Sequence, residues 1–329
     1  MSTNPKNLGA SLSTGRNAVT FKSQGHELAA HLYAPDGFDP SSSYPTIVLS
    51  SAFNQVKEQT GAVYAARLAA RGYVALSFDH VGYGDSEGEL RNYENPFVKM
   101  ESIRDAVSFL CALPFVDRDR LFGIGVCASG GYLALVGTTD KRLKAIATVS
   151  GMMGNKASYF ESMDRETVTA VIAAQNAGRQ KAYESGEVDY VDVLGLEAEK
   201  DVIETGGTPS EGYDYYMTER AGAQTYPNYS HLSPSFMLEG AMLADATSYA
   251  PYLYTPYLGI VGEKAMDPAS GALATGPLTK NFFDQASEPK ELFEVPGASH
   301  VDLYDKDEFV TPAVEAIDRF FGKHGGSNG

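Results

Sequence analysis

Residues Leu121 to Tyr132 read LFGIGVCASGGY, and the rest of the chain is read outward from them. Leu121 to Val126 is apolar apart from two glycines, the mark of a buried strand, and a helix opens at Ala128 with Gly130 and Gly131 in its first turn. Cys127 stands at the corner between them. A side chain exposed on so tight a strand-to-helix turn needs a strained backbone, tolerated only where the residues two before and two or three after are small. Gly125, Ser129 and Gly130 meet that demand. The pattern is a nucleophile elbow with cysteine where serine is more usual. At a helix N-terminus the free N–H groups and the partial positive charge favour the thiolate. Two other readings compete. Ser129 is the nucleophile if the elbow is displaced by two residues, although the residue directly after the strand is the one an elbow exposes. Alternatively the stretch is only a glycine-rich turn around a buried cysteine, a common fate for free thiols. A base and an acid farther along the chain decide between them.

Upstream, residues up to about Arg16 read as a mobile lead-in without periodicity. Ala18–Lys22 and Glu27–Tyr33 read as strands of a hairpin around Gly25, followed by a Pro-Asp-Gly loop. From Tyr44 apolar strands alternate with amphipathic helices. PTIVLSS is a strand, Glu58–Arg71 a helix stopped by Gly72, and YVALSFD the next strand. Ile103, Val107 and Leu110 mark one helix face, and after the elbow LKAIATVSG gives a further strand. Such repeats imply an α/β fold with a mostly parallel central sheet covered by helices on both faces.

The rhythm stops after Gly154 and resumes near Ala250. The intervening segment is helical over Arg165–Lys181, turn-rich over Gly186–Glu211, and holds nine tyrosines between Tyr159 and Tyr249. Each tyrosine alone reads as ordinary packing. Together, and placed after the strand that follows the elbow, they mark a candidate lid. YTPYLGIVGE and KELFEVPG are then strands flanking a helix near Leu278–Ala286, and Thr311 and Pro312 read as N-cap and first residue of a last helix. The expected organisation is a mobile segment 1–16, a core of 17–154 and 251–323, a lid insertion 155–250, and a flexible tail 324–329.

The composition excludes several functions. A net charge of −16 with no basic cluster argues against nucleic acid and anionic membrane surfaces as partners. The polar N-terminus lacks the apolar region of a secretory signal, and no apolar run approaches a membrane span. Two cysteines, Cys111 and Cys127, cannot build a disulfide framework and suit a reducing cytoplasm, with Cys111 read as core. Six histidines without paired ligands at metal spacing give no expectation of a metal, and no cofactor is expected.

Open parallel sheets place their sites at the carboxyl ends of the strands. Cys127 follows the elbow strand, Asp267 lies a few residues past the strand ending at Gly262, and His300 lies just past the strand ending at Val295. Nucleophile, acid and histidine in that order, each after a strand, form a catalytic triad pattern. For the acid, Asp267 is preferred, then Glu263, with Asp302 as a loop-orienting residue. The oxyanion hole is expected from the backbone N–H of Ala128 and from that of Phe53 or Ala52. His80, in FDHVGYGDSEGE, reads as structural.

The segments IVLSS, FDHVGYGDSEGE, GIGVCASGGY and PGASHVDLYD resemble the α/β-hydrolase superfamily. More narrowly they resemble its cysteine-elbow branch, related to dienelactone hydrolases and to fungal enzymes that release or transfer polyketide acyl chains. The resemblance implies Cys127 as nucleophile and His300 as base. GEKAMDP departs from the usual short glycine-to-aspartate spacing at the acid. Because an acyl-thioenzyme stays activated, the expected substrate is a thioester, lactone or activated ester, and the expected activity is an acyl hydrolase or acyltransferase. The partners are a small-molecule acyl substrate, free or carrier-bound, with a homodimer possible. The alternatives are the same residues used for cyclisation, aldol-type condensation or carbon–carbon cleavage, and a catalytically silent binding protein on the same fold.

Overall fold

A computed structural model describes residues 8–205 and 207–325 of the 329-residue chain. Eight strands form one sheet, in the order β1 (Gly15–Ser23), β2 (His26–Ala34), β4 (Val74–Phe78), β3 (Tyr44–Ser50), β5 (Val116–Val126), β6 (Ala145–Val149), β9 (Tyr257–Gly262) and β10 (Lys290–Val295). The β1–β2 and β2–β4 pairs are antiparallel, and the remaining pairs are parallel. The apolar runs have a direct cause, since every residue of β4, β6 and β9 and the stretch Leu121–Val126 of β5 is buried. A strand covered on both faces cannot alternate polar with apolar residues.

Of six longer helices, five cover the sheet. Helices α1 (Thr60–Ala69) and α6 (Asp307–His324) close one face, where Tyr64 and Leu68 meet Val314, Ile317 and Phe321. On the other face α2 (Pro96–Cys111), α3 (Ala128–Thr139) and α5 (Gly276–Gln285) bury Ile103, Val107, Leu133, Val136 and Phe282. Helix α4 (Arg165–Ser185) lies in the insertion and buries only Val168. A two-stranded pair, β7 (Tyr190–Val191) with β8 (Ser233–Pro234), and several short helices, one of them Glu211–Tyr216, belong to the same segment. Its tyrosines divide: Tyr215, Tyr216 and Tyr229 belong to the core, whereas Tyr183 and Tyr249 are exposed.

The position of the site follows from the strand order. Strand β3 lies between β4 and β5, so the chain leaves β3 towards one edge and later returns to its other side. Loops leaving the carboxyl ends of β3 and β5 therefore diverge, and the crevice between them is where open sheets bind ligands.

Three sequence expectations are corrected. Residues 1–7 of the expected mobile lead-in and residues 326–329 of the expected tail lie outside the described residues. Among the described residues, β1 already starts at Gly15 and Leu8 is buried in the same core cluster as Phe115 and Val116, because an apolar side chain next to open core surface is buried. At the other end the last helix continues to His324. That helix also begins a turn before Thr311, at Asp307, and carries Pro312 inside it. Complete burial of Val310 outweighs the one backbone hydrogen bond that the proline ring forgoes.

Candidate active site

Cys127 has φ 52° and ψ −119° between the end of β5 and the start of α3, a conformation that a non-glycine residue adopts only when its surroundings impose it. The packing that imposes it is visible in the glycines. A Cβ on Gly125 would lie 2.3 Å from the Ser129 carbonyl oxygen, and one on Gly130 would lie 2.9 Å from the Gly151 Cα. The first contact presses strand β5 against the helix, and the second presses the helix against the segment after β6. Ser129, the displaced-elbow candidate, is buried, and its hydroxyl accepts a hydrogen bond from Ser50 Oγ at 2.9 Å. Ser50 Oγ in turn lies 2.8 Å from His80 Nε2, so His80 belongs to a buried chain behind the elbow.

The Cys127 thiol is reached from a cavity of about 430 Å³. Burial raises its pKa above the usual thiol value, while the Tyr304 hydroxyl and the amides of Ala128 and Phe53 pull against that rise. The sequence expectation of a favoured thiolate is corrected here, because burial of the sulfur outweighs the helix N-terminus. The two amides expected to form the oxyanion hole, those of Ala128 and Phe53, both reach the sulfur. Ala52 N–H, the alternative donor, is taken up by the Gln55 side chain at 3.4 Å.

The loop that carries Phe53 is held on several sides. Asn54, with φ 55°, donates to Ser233 Oγ at 2.9 Å, and Gln59 Nε2 donates to the Ala221 carbonyl at 2.7 Å, both across to the insertion. Lys57 donates its backbone N–H to Asp79 Oδ1 at 2.6 Å and pairs through Nζ with Asp79 Oδ2 at 2.9 Å. Burial pushes Asp79 up to about 6 against the pull of Lys57. The buried pair ties the loop after β3 to the loop after β4, and removing Lys57 would leave the Asp79 carboxylate buried without its cation, whereas Lys57 also pairs with Glu58 and Asp85.

His300 lies in the loop after β10, fully buried, with its carbonyl accepting from Ser150 Oγ at 2.9 Å. Its ring has two partners. Nδ1 lies 2.6 Å from Thr275 Oγ1, and Nε2 lies 2.8 Å from the Tyr304 hydroxyl. Burial pushes its pKa down to about 3, so the imidazole is neutral. None of the three acids considered from the sequence reaches the ring. Asp267 is exposed and caps its own turn by accepting from Ala269 N–H at 2.9 Å. Glu263 accepts from Gly297 N–H at 2.7 Å. Asp302 accepts from Ser299 N–H at 3.0 Å and pairs with Lys306, holding the turn around His300. The preferred assignment of Asp267 as His300's partner is corrected by this geometry. The turn Glu263–Met266 and a Pro268–Ser270 turn after β9 lead the aspartate outward, and Thr275 arrives in its place.

Two residues at the ring were missed from sequence. Tyr304 lies four residues after His300 in PGASHVDLYD, a spacing that puts both on one side of a helical turn. Thr275 precedes Gly-Pro as the N-cap of α5, yet its hydroxyl makes no capping bond and is free for His300. Glu211 was missed as well. One of its oxygens accepts from Leu273 N–H at 2.7 Å and the other from Val301 N–H at 3.1 Å, joining the insertion to the two loops that deliver Thr275 and His300. The remaining cavity wall is mainly apolar, with Leu194, Leu196, Tyr216, Leu273 and Val301, and among the described residues no lysine or arginine lines it. Among the described residues no group of histidine, cysteine and carboxylate side chains is arranged to hold a metal ion, and no helix is long and apolar enough to cross a membrane.

A mostly parallel sheet, a strained strand-to-helix corner presenting a thiol, and a histidine after the last strand define an α/β hydrolase. The family model of X-Pro dipeptidyl-peptidases (S15 family), a hydrolase family, matches residues 24–186, and the chain is a hydrolytic enzyme. Within that fold the chain belongs to the family of the uncharacterized protein YcjY of Escherichia coli (strain K12). The two are 32% identical over 315 residues, spanning 93% of this chain and 98% of that one. The crystal structure of the hypothetical protein PA2218 from Pseudomonas aeruginosa superposes with a TM-score of 0.80 at 32% identity, covering 94% of this chain and 93% of that one. The acyltransferase drtE of Aspergillus calidoustus is 24% identical over 286 residues, 85% of this chain and 87% of its own.

Proposed function

We propose that this hydrolase works through an acyl-Cys127 intermediate, releasing or transferring the acyl group of a thioester, lactone or activated ester. The observation that carries the reading is the Cys127 sulfur, held at a strained corner beside the amides of Ala128 and Phe53 and open to an apolar cavity. In this reading the sulfur attacks the acyl carbon, and the two amides receive the developing oxyanion. His300 takes the thiol proton and returns it to the leaving group. Water or an alcohol then takes the acyl group. A thiol suits esters and thioesters better than amides, whose leaving group needs stronger protonation. The name of the fungal relative drtE supports acyl transfer as the chemistry.

The apolar walls suit an acyl chain, polyketide-type chains among them, and their lack of cations favours a neutral leaving group over a phosphate-bearing one. Residues 155–250 act as the lid, since Leu194, Leu196 and Tyr216 from that segment form part of the wall. A series of acyl N-acetylcysteamine thioesters of rising chain length tests both points. The wild type is expected to turn over a defined range of lengths, Cys127→Ala none, and Leu196→Ala a range shifted to longer chains. Turnover by Cys127→Ala contradicts the acyl-enzyme, and an unchanged profile in Leu196→Ala contradicts the lid.

One observation favours a second reading. With no carboxylate on His300, an imidazolium at that position lacks the usual charge partner, which suits proton-transfer chemistry such as cyclisation, aldol-type condensation or carbon–carbon cleavage without an acyl-enzyme. Product formation with no acyl adduct on Cys127 would select it.

A further inference from the structure

We propose that Tyr304 is a catalytic residue, its hydroxyl carrying the proton between the Cys127 thiol and His300 Nε2. This rests on the acyl-enzyme reading and adds a proton path to it. The phenol oxygen lies 2.8 Å from Nε2 and within reach of the thiol as its hydrogen-bond partner, and all three side chains open onto the same cavity. The described structure shows no direct hydrogen bond between the thiol and the imidazole. The Tyr304 hydroxyl is the group that partners both.

The surroundings make a hydroxyl suitable at this point. Tyr304 is buried, its ring packed edge-on to Tyr215 at 5.1 Å and to His300 at 5.4 Å, so the hydroxyl is placed by the packing of its own ring. Burial raises its pKa well above the usual value, which keeps it neutral and able to donate and accept at once. The thiol is raised and the imidazole lowered, so a thiolate–imidazolium pair is disfavoured in the resting site. Proton release then has to accompany carbon–sulfur bond formation. A chain of two short transfers achieves this without a free thiolate, the positive charge arising on the imidazole only as the oxyanion forms.

The Cys127 sulfur forms a bond to the acyl carbon and the carbonyl π pair becomes the oxyanion held by the Ala128 and Phe53 amides. The thiol proton passes to the Tyr304 oxygen while the original Tyr304 proton passes to His300 Nε2, in the tautomer that holds its other proton on Nδ1 towards Thr275. When the oxyanion collapses, the bond to the leaving thiolate or alkoxide breaks and the proton returns along the same path to it. Deacylation repeats the sequence with water or an alcohol in place of the thiol.

The test is single-turnover acylation of Cys127 by a neutral acyl thioester, followed by intact mass in mixtures of light and heavy water, for the wild type and Tyr304→Phe. Phenylalanine keeps the ring packing and removes only the hydroxyl. The wild-type rate is expected to curve with deuterium fraction because two protons move together. In Tyr304→Phe the curvature is expected to disappear and acylation to slow by about tenfold or more. A wild-type dependence that is straight overturns the relay whatever the variant does, so a variant that fails to fold does not shield it. Undiminished acylation in a folded Tyr304→Phe overturns it too. Failure of the wild type to form any acyl-Cys127 removes the acyl-transfer reading itself, which a failure of the relay alone leaves standing.

Discussion

The ring of His300 sets the most specific expectations at the scale of single residues. Its Nδ1 partner is Thr275 and Asp267 points into solvent, so Thr275→Val is expected to lower kcat by about tenfold with little change in KM. Asp267→Asn should stay within about twofold of the wild type. Steady-state kinetics on one thioester decides this, and collapse of Asp267→Asn with an active Thr275→Val would return the acid to Asp267. The same ring affects stability. A histidine near its ordinary value in the unfolded chain but lowered to about 3 in the fold leaves the unfolded state binding the extra proton between these values. Stability therefore rises with pH across that window and is lost as the pH falls from about 6.5. Burial lowers His80 in the same direction, while Asp79, raised to about 6, works oppositely. His300→Gln should flatten the dependence by about 1.4 kcal/mol per pH unit in denaturant titrations, and an unchanged slope would place the His300 ring in water. Cys127 and His300 could be picked out from sequence because each lies in the segment that follows a strand. Thr275 could not, because its hydroxyl would ordinarily have been counted as a helix cap.

At the scale of elements, the corner between β5 and α3 is fixed by backbone contact, and glycine is what permits it. Gly125→Ala would drive a methyl group to 2.3 Å from the Ser129 carbonyl oxygen, where no side chain can yield. We expect a loss of about 1–3 kcal/mol or more, with the melting midpoint and acylation falling together. A variant melting like the wild type would mean that strand and helix can separate at no cost. This contact was legible in the sequence as a spacing of small residues around Cys127. The start of α6 was not, because Thr311-Pro312 carries a strong local capping signal, and only the fold reveals that Val310 must be buried. The turn Glu263–Met266 was hidden for a similar reason: nothing in GEKAMDP shows that the chain winds away from His300 before returning at Thr275.

Across the whole molecule, the order of strands brings the loop after β3 beside the elbow, and the insertion closes over both. The alternation of apolar strands and helices made this sheet readable before its topology was seen, since only strands buried on both faces are uniformly apolar. The insertion was visible as a break in rhythm, but its contribution through Glu211, which spans to Leu273 and Val301, depends on contacts distant in sequence. The central claim is that all of this converges on a thiol that becomes acylated. It is tested most directly by trapping the enzyme with a slowly hydrolysed acyl thioester and mapping the adduct by peptide mass. The account predicts one acyl group on the peptide containing Cys127, none on Cys111, and no adduct in Cys127→Ala. Steady product release with Cys127 unmodified at every time point, or an adduct carried by Ser129, would contradict it.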